Sequence, residues 1–265
     1  MPYSTRDGLR IHYEVHGEGP AMVLVHANPF DRRLWLYQVA CYSAFYRVIA
    51  VDLRGYGHSD KPEAVFTLHD MKNDVLAVCA DENIDHAIFM GVSVGSGIAM
   101  LIGLDHPQMV DAIVLVGGSS NGPQDVESIV SGFTQETLGA YLMHLMRGYV
   151  APGFADTKLG DWLLSRFVER ADDLNANCIV QIFRARGSCD MTDRLPDMKV
   201  PTLVVNGAHD NSLTRGGMTA RLIPRAKHAV IPNTGHACVI EDPDAFDCHV
   251  IAFLSGLGLW RGKPG

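Results

Sequence analysis

Short apolar runs alternate with longer amphipathic stretches along residues 1–116. A hairpin is predicted at the start, because Asp7-Gly8 separates the segments Tyr3–Thr5 and Leu9–Val15. Beyond it, apolar runs of strand length indicate buried strands, and helical spacing indicates helices between them. The predicted strands are Ala21–Val25, Val48–Val51, Ala87–Met90 and Ala112–Val116, and the predicted helices are Trp35–Phe45, Thr67–Asp81 and Val94–Leu104.

This strand pattern stops after Val116 and gives way to helical spacing alone. A helix is predicted over residues 138–149, followed by Trp162–Val168 and Leu174–Phe183. The alternation then resumes with strands Thr202–Val205 and Ala229–Ile231 and helices Thr214–Leu222 and Pro243–Leu254. Helices between parallel strands cover both faces of a sheet. We therefore expect an α/β fold with a doubly wound, mostly parallel sheet over residues 1–120 and 196–265, and an inserted helical lid over residues 121–195.

Composition narrows the class of protein. The chain has 265 residues, of which 47% are hydrophobic and 20% are charged, as expected for a chain with a large core. Its net charge of −8 argues against nucleic-acid and anionic-membrane partners. The six cysteines are scattered without a Cys-x-x-Cys pair, and the first residues lack an apolar signal core. We expect a cytoplasmic protein with a small-molecule substrate, no cofactor and no metal site, and whether copies of the chain associate stays open.

The strongest chemical signal is Gly91-Val92-Ser93-Val94-Gly95, which lies between a predicted strand and a predicted helix. In that context a G-x-S-x-G segment forms a tight turn that raises the serine hydroxyl above the sheet edge. Small residues are needed on both sides because the turn is strained. Ser93 is therefore predicted to be a nucleophile, placed at a helix N-terminus where negative charge is stabilised.

A serine nucleophile needs a base and a group that orients the base. His236 follows the last predicted strand, in Asn233-Thr234-Gly235-His236-Ala237, and so reaches the same sheet edge as Ser93. Asp210 follows the strand Thr202–Val205 and is predicted to orient His236. The loop after Val116 has no nearby carboxylate, and Asp125 is too distant to be preferred.

Two backbone N–H groups are needed to stabilise the oxyanion that forms during acyl transfer. One is predicted at Val94, directly after the nucleophile, and the other at Asn28, in the loop after the strand Ala21–Val25. The Asn28–Pro29 bond is a candidate for the cis form. His26, in the same loop, is interpreted as a structural hydrogen-bonding residue.

With these motifs in this order, the chain resembles the α/β-hydrolase superfamily along nearly its whole length. The matching stretches are His26-Ala27-Asn28-Pro29, Asp52-Leu53-Arg54-Gly55-Tyr56-Gly57-His58-Ser59, Gly91-Val92-Ser93-Val94-Gly95, Val200–Asp210 and Pro232–His236. The resemblance implies a Ser93, Asp210 and His236 triad with oxyanion donors at Asn28 and Val94. In the stretch that begins at Asp52, it favours a structural role for Asp52 and Arg54.

The chain departs from the family pattern at several positions. Ala27 replaces the usual glycine and Val92 the frequent histidine. Ser93 argues against the dehalogenases and epoxide hydrolases of this fold, which use an aspartate nucleophile. Ala237-Cys238 stands where C–C hydrolases of the meta-cleavage type usually have tryptophan. The resemblance favours hydrolysis of a small, largely apolar ester or lactone. The alternatives are C–C bond hydrolysis of a vinylogous diketone and a slowly hydrolysing ligand receptor.

The expected substrate pocket is apolar and lies between the oxyanion loop and the lid. The candidate lining residues are Phe30, Trp35, Tyr141, Leu142, Leu145, Trp162 and Phe183. His144, Arg147 and Arg184 are candidates for binding a carboxylate, although solvent-facing charges on lid helices are the favoured interpretation of this group.

Overall fold

The fold is built on one eight-stranded sheet. The structure is a computed structural model that describes residues 2–123, 125–135 and 137–262. The strand order is β1-β2-β4-β3-β5-β6-β7-β8, in which β2 runs antiparallel to its neighbours β1 and β4 and the other neighbouring strands are parallel. The strands are β1 (Tyr3–Arg6), β2 (Leu9–His16), β3 (Ala21–Val25), β4 (Arg47–Val51), β5 (Ala87–Val92), β6 (Val110–Val116), β7 (Thr202–Gly207) and β8 (Lys227–Ile231). The predicted doubly wound, mostly parallel sheet is confirmed.

Helices cover the sheet and connect its parallel strands. Strand β5 is buried at every position, as expected for a central strand with helices on both faces. The helices are α1 (Leu36–Tyr42), α2 (Leu68–Asp81), α3 (Val94–Asp105), α4 (Val126–Gly132), α5 (Leu138–Tyr149), α6 (Lys158–Val168), α7 (Ala176–Gly187), α8 (Leu213–Leu222), α9 (Cys238–Glu241) and α10 (Pro243–Gly256). At the start of α2, Thr67 and Asp70 form the capping box that their spacing indicates.

Helices α4 to α7 all lie in the chain between β6 and β7, which we call the β6–β7 segment. A bridge between Asn121 and Asp190 joins the two ends of this segment near the sheet. Helix α4 was not predicted. It has only seven residues, and its apolar residues Val126, Ile129 and Val130 are only partly buried. Among the described residues, no helix is long and apolar enough to cross a membrane.

The carboxyl ends of β3, β5, β6, β7 and β8 meet along one edge of the sheet, because these strands run parallel. In open α/β sheets, ligand sites form in the crevice beyond this edge. The loops that carry the predicted catalytic residues all begin there, and the β6–β7 segment leaves the sheet at the same edge.

Candidate active site

Ser93 occupies the tight turn between β5 and α3. Its φ of 55° lies in the left-handed region that side chains rarely adopt. The turn leaves no room for side chains on either side. A Cβ on Gly91 would collide with the Gly95 backbone, and a Cβ on Gly95 would collide with the Val25 carbonyl. The Ser93 N–H donates to the Val116 carbonyl at 2.8 Å, which ties the turn to the neighbouring strand.

His236 and Asp210 form a buried hydrogen-bonded pair. The distance from His236 Nδ1 to Asp210 Oδ1 is 2.8 Å. Burial raises the pKa of Asp210, but the charge and hydrogen bond of His236 outweigh burial and hold that pKa well below its usual range. Burial lowers the pKa of His236, but Asp210 outweighs this effect and raises it. The hydrogen bond to Asp210 therefore uses Nδ1 of the imidazole, so Nε2 is the nitrogen that can accept a proton.

Two residues that the sequence did not single out orient Asp210. Ser212 donates to Asp210 Oδ1 from its backbone N–H at 2.7 Å and from its hydroxyl at 2.8 Å. Asn206 Nδ2 donates to Asp210 Oδ2 at 2.9 Å. Both residues are polar and close to Asp210 in the chain, and this is the one feature of the sequence that could have identified them. These donors stabilise the carboxylate in its ionised form.

His236 is also in close contact with Tyr149 and Gly117. Its backbone N–H donates to the Tyr149 carbonyl at 2.7 Å, and the two rings lie 5.3 Å apart. A Cβ on Gly117 would lie 2.6 Å from His236 Cε1 and 3.3 Å from Asp210 Oδ2. Gly117 is thus the position after β6 where the chain must lack a side chain for the pair to fit.

Ser93 and His236 line a cavity of about 260 Å³, together with Asn28 and Val94. Val94 is the first residue of α3, so its N–H has no acceptor within the helix. The Asn28–Pro29 bond is cis, and the Asn28 side chain accepts a hydrogen bond from the Tyr56 hydroxyl. Asp210 lies behind His236. The five residues predicted for catalysis and oxyanion binding are thus brought together.

Two of the seven predicted pocket residues, Leu145 and Phe183, line this cavity. Among the described residues, the lining does not include Phe30, Trp35, Tyr141, Leu142 or Trp162. Phe30 packs edge-on against Phe167, with ring centroids 5.0 Å apart, and Trp35 packs against Phe246. These two residues belong to the core rather than to the pocket.

The positions of Tyr141, Leu142 and Trp162 follow from which face of each helix is buried. On α5, Tyr141, Leu142 and Met146 are buried, and the Tyr141 hydroxyl donates to the Ile129 carbonyl. On α6, the buried stripe consists of Gly160, Leu163, Leu164 and Phe167, which leaves Trp162 outside it and 53% exposed. Trp162 was expected to line the pocket, but it lies on the surface.

The lining is more polar than expected. Besides the residues already placed there, it includes Ser119, Asn121, Asp125, His144, Arg186, Asn211, Ser212 and Arg215. His144 was a candidate for binding a carboxylate, and it does line the cavity. Arg147 and Arg184 were the other candidates, and both instead form ion pairs on the exposed surface, with Asp156 and Asp161 and with Glu127.

His26 and the loop that begins at Asp52 have structural contacts. His26 Nδ1 is 2.8 Å from the Ala27 carbonyl, and its Nε2 accepts from the Leu53 N–H at 2.9 Å. Asp52 is held by Arg32, and Arg54 pairs with Asp74 of α2 at 2.6 Å. His209 is exposed beside Asp210. In the described part of the chain, no three His, Cys, Asp or Glu side chains are grouped as a metal site requires.

Comparison with known proteins identifies the family to which this fold belongs. A family model described as alpha/beta hydrolase fold matches residues 20–243. The chain is 27% identical to 2-hydroxy-6-oxo-6-(2'-aminophenyl)hexa-2,4-dienoic acid hydrolase of Metapseudomonas resinovorans, over 94% of this chain and 88% of that protein. It is 29% identical to pimeloyl-[acyl-carrier protein] methyl ester esterase of Pectobacterium carotovorum, over 92% of this chain and 98% of the relative.

Among solved structures, the enol-lactonase from Burkholderia xenovorans superimposes with a TM-score of 0.89 and 25% identity, over 96% of this chain and 100% of that chain. The family match spans most of the chain, and the structural match spans nearly all of it. The chain therefore belongs to the α/β-hydrolase fold family.

Proposed function

We propose that this chain is a serine hydrolase that cleaves small carboxylic esters or lactones through an acyl-enzyme. One observation carries the proposal. The His236 ring is held by Asp210 at 2.8 Å and lines the same cavity as Ser93, whose turn has a φ of 55°. A nucleophile, a base and a group that orients the base are the three parts that such chemistry requires.

In the proposed reaction, Ser93 Oγ attacks the substrate carbonyl carbon as His236 Nε2 takes the hydroxyl proton. Asp210 stabilises the imidazolium through Nδ1. The carbonyl oxygen becomes an oxyanion, and the backbone N–H groups of Asn28 and Val94 donate to it. The proton then passes from His236 to the leaving alcohol. A water molecule, activated by His236, hydrolyses the acyl group from Ser93 and regenerates the hydroxyl.

The proposal is tested by labelling and turnover. Wild-type protein should react covalently with a fluorophosphonate at Ser93 and turn over p-nitrophenyl acetate steadily. Ser93→Ala should remove the label and lower kcat by about 10⁴-fold or more, since the remaining groups supply only part of the acceleration. Ser96→Ala is the matched control, because the Ser96 hydroxyl donates to the Gly91 and Val116 carbonyls instead of lining the cavity. Full esterase activity in Ser93→Ala would contradict the mechanism.

A second candidate is hydrolysis of a C–C bond in a vinylogous diketone by the same residues. It is supported by the similarity to the dienoic acid hydrolase over 94% of this chain. Turnover of ring-fission diketones, without turnover of esters or lactones, would favour this candidate. A slowly hydrolysing receptor would instead be labelled at Ser93 without steady turnover.

A further inference from the structure

Two arginines that the proposed mechanism does not use line the cavity that holds Ser93 and His236. Arg186 is 6% exposed, and its guanidinium donates to the carbonyls of Ser119, Asn121 and Cys189. Burial lowers the pKa of Arg186 to about 10. Within residues 2–123, 125–135 and 137–262, no carboxylate lies within ion-pair distance of it. Its positive charge is therefore held by neutral oxygen atoms at the wall of the cavity.

Arg215 lies in the first turn of α8, five residues after Asp210. It is half-buried, and its Nη1 donates to the Gly122 carbonyl at 3.3 Å. In the described part of the chain it has no ion pair. Its charge is close enough to His236 to oppose the rise that Asp210 causes in the pKa of that histidine. Arg215 thus brings a positive charge to the cavity, with N–H donors that the described residues do not engage.

Negative charge in the described lining is limited to one exposed carboxylate, Asp125. Asp210 is near the cavity, but its charge is engaged by His236, Asn206 and Ser212. The arginines therefore outnumber the free carboxylates. A cavity with low-dielectric walls and a surplus of one sign of charge in its lining attracts ligands of the opposite sign.

We propose that Arg215, supported by the charge of Arg186, binds a carboxylate group of the substrate, so that this enzyme prefers anionic esters or lactones. The inference rests on the proposed function and names its substrate class. Arg215 is the contact residue because a guanidinium has five N–H donors, of which the described residues engage one, and its planar fork matches a carboxylate. Arg186 contributes charge alone, since its terminal nitrogens already bond to carbonyls.

The test compares esters that differ in charge and hardly in shape. Phenyl hydrogen glutarate carries a carboxylate on the acyl side, and phenyl isoheptanoate replaces it with an isopropyl group. Para-(carboxymethyl)phenyl acetate and para-isobutylphenyl acetate form the same pair on the alcohol side. The wild type should favour the anionic member of at least one pair in kcat/KM.

Arg215→Gln should lower kcat/KM for the preferred anionic ester by about 10-fold to 100-fold, as expected for the loss of a hydrogen bond between two charged groups. The neutral partner has no carboxylate to lose contact with, so the ratio of kcat/KM for the anionic ester to kcat/KM for the neutral ester should fall towards one. Arg215→Lys keeps the charge but loses the fork, so its loss should be intermediate. Arg221→Gln, an exposed arginine on the same helix, is the matched control and should leave the charge preference unchanged. Asp125→Asn removes the opposing charge and should increase the preference.

Binding to the Ser93→Ala protein separates this inference from the proposed function. Titration calorimetry with the two esters of each pair should show tighter binding of one anionic member, and adding Arg215→Gln should remove the difference. If the wild type hydrolyses the esters but Arg215→Gln retains the charge preference, the carboxylate site is overturned and the hydrolase proposal stands. If no ester is hydrolysed but binding still depends on Arg215, the carboxylate site stands and the hydrolase proposal is overturned. Equal binding of both members by Ser93→Ala also overturns the site.

Discussion

At the scale of single residues, Gly117 determines whether the His236 and Asp210 pair can form. Gly117→Ala should lower kcat by at least 10-fold, because its Cβ would lie 2.6 Å from His236 Cε1. The φ of 55° at this position adds backbone strain, about 1–2 kcal/mol in the free energy of unfolding. Activity assays and urea denaturation measure the two effects separately.

Gly153→Ala provides the matched control for this strain. Gly153 has a φ of 83°, and a Cβ there would meet no atom within 4 Å. This variant should lose similar stability while keeping its activity. Equal losses of activity in Gly117→Ala and Gly153→Ala would show that contact with the His236 ring is unimportant.

The His236 and Asp210 pair also predicts how activity depends on pH. In the proposed mechanism His236 must be neutral to accept the Ser93 proton, so kcat/KM should rise with pH as this imidazole loses its proton. Asp210 raises the pKa of His236 above its ordinary value of 6.5, which places the acidic limb of the profile above that value. Asp210→Asn should shift the limb to lower pH and reduce kcat by about 10³-fold to 10⁴-fold, through loss of the ion pair and of the required tautomer. A profile with an unchanged limb would contradict this role of Asp210.

At the scale of elements, α9 joins the loop of His236 to the end of α5. Glu241, the last residue of α9, accepts hydrogen bonds from the Gly235 N–H at 3.0 Å and the Ala151 N–H at 2.6 Å. Burial raises the pKa of this carboxyl despite those donors. Glu241 is therefore a positioning residue for His236, and it connects that residue to the β6–β7 segment.

Glu241→Gln should lower kcat by about 10-fold with little change in KM, because the amide is neutral and its NH₂ group, in the place of Oε1, would face the Gly235 N–H donor. Hydrogen exchange at the Gly235 and Ala151 amides should become faster in the same variant. Glu241→Asp keeps the charge and should recover part of kcat. A change in KM alone, with kcat unchanged, would show that Glu241 acts on the substrate instead.

The same scale shows where prediction from sequence ends. Buried strands such as Ala21–Val25 were predicted to the residue, because burial on both faces makes them continuously apolar. The residues that each helix directs towards the core or the cavity were harder to predict. On α5, Leu142 and Leu145 were both predicted to line the pocket. In the structure Leu142 is buried in the core, and Leu145 lines the cavity. Both environments accept leucine, so the residue type does not separate them.

At the scale of the whole molecule, the motifs specify which loops reach one edge of the sheet. The placement of Ser93, Asp210 and His236 at one sheet edge could be predicted because each follows a recognisable strand, and parallel strands bring their carboxyl ends together. The cavity wall could not be predicted in the same way. Arg186 and Arg215 come from helices that are separated by β7, and only the packing of those helices places the two arginines together.

A buried charge network also makes the stability of the whole molecule depend on pH. Asp52, at the end of β4, accepts from His12 Nδ1 at 2.8 Å and from Arg32 Nη1 at 2.9 Å. Burial raises the pKa of Asp52, but His12 and Arg32 hold it well below 3.8. A carboxyl whose folded pKa is depressed stabilises the fold above its unfolded pKa, and that contribution is lost as the pH falls through the folded value. Asp210 acts in the same direction.

Asp52→Asn should therefore lower the free energy of unfolding at neutral pH by about 3 kcal/mol, since it leaves Arg32 half-buried without this partner. Below about pH 5, its stability should fall less steeply than that of the wild type, because one proton fewer is taken up on unfolding. Urea denaturation across this range measures both effects. Asp85→Asn, at an exposed carboxylate, is the control and should follow the wild type. Parallel curves for Asp52→Asn and the wild type would show that Asp52 is not a source of the pH dependence.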